Sequence, residues 1–285
     1  MRGTAGGRGG FTLIEALIAM FLATLIVVLV GSIFLAQNNF YTDVVRRSEA
    51  QDHARSVVEL VTTDVRSAAP DGIGLADSLE FAFRAPFTMG MVCGFAGGRA
   101  RTYLPSGSSG LDTLGVTGFG IRSSDGGWSY YPSDWGTLFE SSGRTIADAC
   151  AVAGMDTVGV PDEHFIELND VATTPSPAPR VGDGITLFQF LHLQVGDSDL
   201  APGSLGLFRG TFGDTLTEFS SGLGERTHFE YRLQGSNTYS SQVTGADLND
   251  INSVRIVAHA VSQEGDPSDR YEFEIVQDVP LRNAR

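Results

Sequence analysis

One glutamate, Glu15, stands in an otherwise uncharged run from Phe11 to Ala36. A carboxylate in such oily surroundings is unfavourable in lipid and marks a place where a cation has to arrive. Little else along the chain offers chemistry. Asp162-Glu163-His164 joins three ligand types but has no spaced partner cluster. Asp247, Asn249 and Asp250 carry oxygens of the kind Ca²⁺ takes, without the glycine and distal glutamate of an EF-hand loop. His53, His192, His228 and His259 are scattered without metal spacing. There is no lysine, so no Gly-x-x-x-x-Gly-Lys phosphate loop exists. No metal and no cofactor is expected.

Charge and cysteines narrow the classes further. The net charge is −15 and every basic residue is arginine. Nucleic-acid binding is not expected, because a phosphate backbone calls for a basic footprint. Cys93 and Cys150 are the only cysteines. They fit one disulfide in an oxidising compartment, or two buried thiols in a reducing one.

The elements that position Glu15 come next. From Ala16 to Ala36 the chain is wholly uncharged, and as a helix it spans about 31 Å, the thickness of a bilayer's hydrocarbon core. Thirteen Leu, Ile, Val or Phe residues lie there. At about −0.45 kcal/mol each they contribute roughly −6 kcal/mol to insertion, against less than about +3 for an acid at the segment's edge. Arg2 and Arg8 hold the N-terminus in the cytoplasm by the positive-inside rule, which sends residues 70–285 to the other side. A cleaved secretory signal has a shorter apolar core and a small-residue cleavage site, whereas Gln37-Asn38-Asn39-Phe40 follows here.

The segment Gly10-Phe11-Thr12-Leu13-Ile14-Glu15, behind a short basic, glycine-rich flank, resembles the class III signal of type IV prepilins. The resemblance implies that residues 1–10 are a leader, that a prepilin peptidase cuts between Gly10 and Phe11, and that Phe11 is then N-methylated. It also implies that Glu15 pairs with the terminal amine of a neighbouring pilin or pseudopilin subunit, and that an inner-membrane assembly platform moves the chain from membrane lipid into a filament. Ala54-Arg55, Leu60 and Asp64-Val65-Arg66 resemble the helix end of PilW-type minor pilins and GspJ-type minor pseudopilins. Val254-Arg255-Ile256-Val257 with the closing Leu281-Arg282-Asn283 is similar to the last strands of PilW-type chains.

Beyond the membrane segment, residues 37–69 read as the same helix turned amphipathic. Phe40, Val44, Ala54, Val58, Val61, Val65 and Ala68 form an apolar stripe, with Asp43, Arg47, Asp52, Arg55, Glu59 and Asp64 on the polar faces. No proline interrupts 11–69, and Pro70-Asp71-Gly72 ends the helix. Short β-type runs follow at Leu79–Arg84, Gly184–Val195, Leu205–Thr211, Thr227–Leu233, Val254–Ser262 and Tyr271–Val276. Residues 96–145, rich in Gly and Ser, read as a surface insertion whose Trp128, Tyr130, Tyr131 and Trp135 form a satellite core or a binding patch. The Pro-rich stretch 173–180 reads as an extended connector. Gly196-Asp197-Ser198-Asp199 is similar to the Gly-Asp-Ser block of a lipase-like hydrolase family, but no later histidine has an Asp three residues before it, so a turn is expected.

The expectation is therefore an α+β chain: a long N-terminal helix, membrane-spanning in its first half, packed on an antiparallel β-sheet domain. In function it is a non-enzymatic minor pilin of PilW type that aids pilus assembly. A GspJ-type pseudopilin of a type II secretion system is the second reading, and a filament-borne adhesin the third.

Overall fold

The computed structural model describes residues 12–96, 99–107, 115–122, 126–132, 139–169, 180–262 and 270–281. A single helix, α1, runs from Leu13 to Arg66, about 81 Å of unbroken rise. Thr12 caps its start, and Ser67 closes its end by donating both backbone N–H and Oγ to the Asp64 carbonyl. The helix passes straight through Gly31-Ser32, where the Ser32 hydroxyl bonds back to the Leu29 carbonyl. The exit turn is tight. A side chain on Gly72 would meet the Ala69 carbonyl oxygen at 2.7 Å, and Asp71 takes a left-handed φ of 54°.

Among the described residues fourteen strands then build one sheet: β1 Ile73–Ala76, β2 Glu80–Ala96, β3 Arg99–Tyr103, β4 Gly118–Arg122, β5 Trp128–Pro132, β6 Phe139–Ser142, β7 Phe165–Leu168, β8 Gly184–Asp197, β9 Leu205–Thr211, β10 Thr217–Leu223, β11 His228–Leu233, β12 Tyr239–Ser240, β13 Ile251–Val261 and β14 Glu272–Pro280. A short helix, α2, occupies Arg144–Val152 between β6 and β7. Neighbours run β12-β11-β13-β10-β9-β8-β2-β3-β7-β6, with β1 on β2, β14 on β13, and the β4–β5 hairpin on β8. The pairings among described residues are antiparallel, and α+β is the fold class.

The main core lies between the C-terminal part of α1 and one face of the sheet, with residues from β1, β2, β8, β9, β10, β11, β13 and β14. Ala50, Ala54, Val57, Val61 and Val65 are fully buried against a wall that includes Phe81, Phe83, Leu193, Phe229, Tyr231 and Ile256. The stripe departs from the expected one. Val57, not Val58, is the fully buried residue, while Phe40 and Val44 stay 71% and 47% exposed. Asp64, expected on a polar face, is buried within the stripe. Arg47, read as polar surface, lays its guanidinium 4.9 Å over the Tyr271 ring of the chain leading into β14.

Residues 96–145 are not a surface insertion in their described parts. They supply β3, β4, β5 and β6, and β4 pairs directly with central strand β8. A second core of Val92, Leu104, Phe119, Ile121, Ile166 and Leu187 fills this half. Here Tyr131 stacks on Phe119 at 5.1 Å, which realises the satellite-core reading for that tyrosine. Trp135 and connector residues 173–179 lie outside the described residues.

Candidate functional site

The feature with most capacity to act is the first half of α1. No residue from Thr12 to Glu49 is buried, and Leu13, Phe21, Val27 and Phe34 expose 86%, 67%, 69% and 67% of their surface. An 18-residue window here has a mean hydropathy of 2.8 with none of it covered by the rest of the chain. Among the described residues the structure thus holds one N-terminal helix long and apolar enough to cross a membrane, and about 43 Å of it, Leu13 to Tyr41, is exposed throughout.

Glu15 sits at the tip of this helix, and its surroundings add something that residue type alone does not foretell. The carboxylate has a partner in its own chain. Backbone N and Oγ1 of Thr12 both donate to Oε2 at 2.9 Å, and the Glu15 N–H points back to Thr12 Oγ1 at 3.4 Å. This is a capping box, in which a hydroxyl and a carboxylate three residues apart satisfy each other's backbone donors. The helix's positive end adds a favourable field for the anion. Oε1 accepts nothing from the described residues, so the carboxylate can take a further donor without opening the box. The signal was legible as Thr12-x-x-Glu15 ahead of an apolar run. Gly10 and Phe11 lie outside the described residues.

The other residues singled out are placed apart from the helix tip. Cys93 of β2 and Cys150 of α2 are joined in a disulfide, which fastens α2 to the sheet beside Phe165. Ser198 lies in the turn after β8. It donates to Glu218 Oε1 at 2.5 Å and accepts from the Ala201 N–H at 2.8 Å, while the other Glu218 oxygen takes the N–H groups of Asp199 and Leu200. Those bonds make Ser198 a turn residue. His164, in the short 3₁₀ turn Asp162–His164, bonds through Nδ1 to the Leu104 carbonyl and stacks on Tyr103. Asp247, Asn249 and Asp250 lie on the 3₁₀ turn Gly245–Asp250 ahead of β13.

Two buried polar groups tie the helix to the sheet and the sheet to its first turn. Asp64 meets Arg209 of β9 in a two-point ion pair, and the carboxylate raises the guanidinium's pKa. Tyr231 donates its hydroxyl to the Asp77 carbonyl at 2.7 Å, and burial pushes its pKa well above the ordinary phenol value. Elsewhere on the sheet Arg84 is sandwiched at 4.9 Å from both the Tyr130 and Phe190 rings, where burial lowers its pKa. No protein-family model, curated protein or solved structure matches this chain.

Proposed function

We propose that this chain is a prepilin-like filament subunit, of the PilW-type minor pilin kind, anchored in the inner membrane until it is assembled. Prepilin peptidase removes residues 1–10 and methylates Phe11. The assembly platform then lifts the subunit, and α1 exchanges lipid for the apolar helices of its neighbours. The domain beyond Pro70 faces the periplasm and carries no reaction. A GspJ-type pseudopilin would share each of these steps.

The observation that carries this reading is a bare apolar helix with a carboxylate fixed at its tip. A helix exposed all the way from Leu13 to Tyr41 has to be covered by lipid or by other helices. The capping box holds Glu15 at a set place on the helix and leaves Oε1 open to the Phe11 amine of the next subunit. Such a pair is a device for register more than for affinity, since desolvating both charges offsets most of their attraction.

Glu15→Leu tests the reading. Membrane insertion should be retained, because an acid is exchanged for an apolar residue, while recovery in sheared filaments should fall severely. Normal incorporation of the Glu15→Leu chain would refute the role of the carboxylate.

A further inference from the structure

A cleft of about 340 Å³ opens on the outer face of the sheet beside the helix exit, between Asp71, Met89, Arg122, Trp128, Tyr130 and Thr186. Its back wall depends on a glycine. Gly120 of β4 lies opposite Tyr130 of β5 and Thr186 of β8. A Cβ there would stand 2.7 Å from the tyrosine ring and 3.0 Å from Thr186 Cγ2, so only glycine lets the ring settle over the strand. Tyr130 is then locked. Its hydroxyl donates to the Pro70 carbonyl, Arg84 sits over its ring at 4.9 Å, and Phe188 meets it edge-on at 5.5 Å.

Trp128 stacks beside this fixed ring, its plane nearly parallel at 10° with 6.1 Å between centroids. Arg122 is the cross-strand partner of Trp128, exposed, and without a hydrogen bond or ion pair among the described residues. Asp71 closes the far rim with a carboxylate. A rigid aromatic platform, an available guanidinium and a carboxylate acceptor thus share one small concavity, in a chain whose net charge is −15.

These groups select a ligand class. A stacked aromatic wall takes the C–H face of a pyranose ring. A planar guanidinium takes a carboxylate through two parallel bonds. Asp71 accepts from hydroxyl donors and repels a ligand that has only anionic and apolar parts. A neutral sugar leaves Arg122 unused, and an aromatic acid offers Asp71 no donor. The volume is at the low end for ligand pockets, which suits one ring. We propose that the cleft binds an acidic sugar unit, a pyranose carrying a carboxylate as in polyuronates. The site lies wholly in the β domain and does not rest on the filament reading.

Calorimetric titration of the full chain in detergent tests this, with oligogalacturonate as probe and a neutral galactose oligomer of equal length as comparison. Saturable uronate binding is expected, weaker at higher salt. Arg122→Gln should weaken it by about tenfold or more, a charged hydrogen-bonded contact being lost. The same variant should leave the weaker neutral oligomer unaffected, and Trp128→Ala should reduce binding of both. Arg122 is exposed, so its variant should keep the thermal midpoint of the parent and carries the test if Trp128→Ala does not fold. The proposal fails if uronate does not saturate, if the neutral oligomer binds equally well, if Arg122→Gln changes nothing, or if benzoate competes better than galacturonate.

Discussion

Asp64 on the last turn of α1 accepts two hydrogen bonds from Arg209 of β9, Nε to Oδ2 at 2.7 Å and Nη2 to Oδ1 at 3.3 Å. The carboxylate is buried while the guanidinium is more than a third exposed. The pair fixes both the rotation and the height of the helix on the sheet. Asp64→Ala should therefore destabilise the domain by about 1–2 kcal/mol, reduced from the fully buried case because water still reaches Arg209. Urea denaturation of the parent and variant checks this; equal midpoints would show the pair to be idle.

The placement of Asp64 in the buried stripe also shifts the stripe's centre. Val57 and Val61 are fully buried, whereas Val58 is only partly covered. Val57→Ala should cost about 1.5–2.5 kcal/mol and Val58→Ala less than about 1. The same denaturation curves separate them, and a larger loss at Val58 would contradict the packing.

Cys93 and Cys150 close a loop with a sequence separation of 57. Chain entropy puts the loss on removing that link at about 4 kcal/mol as an upper figure. A Cys93→Ser, Cys150→Ser double variant should unfold at lower denaturant, with α2 and β6 exchanging amide hydrogens faster than β13. Unchanged protection of α2 would show that its packing alone holds it.

His192 gives the domain a pH dependence of known sign. Burial lowers the pKa of its imidazole, and Glu80, 3.8 Å away, opposes that only in part. The folded state therefore resists protonation more than the unfolded chain does. Stability should fall as pH drops through the unfolded value near 6.5, and the loss is complete below the folded pKa. Comparing His192→Phe with the parent between about pH 7.5 and 5 isolates this contribution. The variant should lose less stability on acidification, and identical slopes would contradict it.

Much of this architecture was legible in the residues. The uncharged run and its proline-free extension specify α1, and strands such as Leu205–Thr211 and His228–Leu233 appear almost where the alternation puts them. Three features were hidden for physical reasons. Asp64 reads as surface because its type outweighs its spacing, although it lies three and seven residues beyond Val61 and Val57 and so shares their face. β4 was masked by Gly118 and Gly120, which erase the alternation. They are there because the Phe188 and Tyr130 rings occupy the space their side chains would fill. Glu15 read as an isolated acid, when the threonine three residues earlier already gave it a local partner. In each case a distant or reciprocal contact decided what local pattern could not.

The most direct measurement of the filament-subunit reading is the mass of the mature N-terminus, taken on chain purified from membranes. The predicted result is a chain that has lost residues 1–10 and starts at a Phe11 one methyl group heavier. A chain that keeps Met1, or one that begins beyond Ala36 with the apolar helix gone, would contradict it.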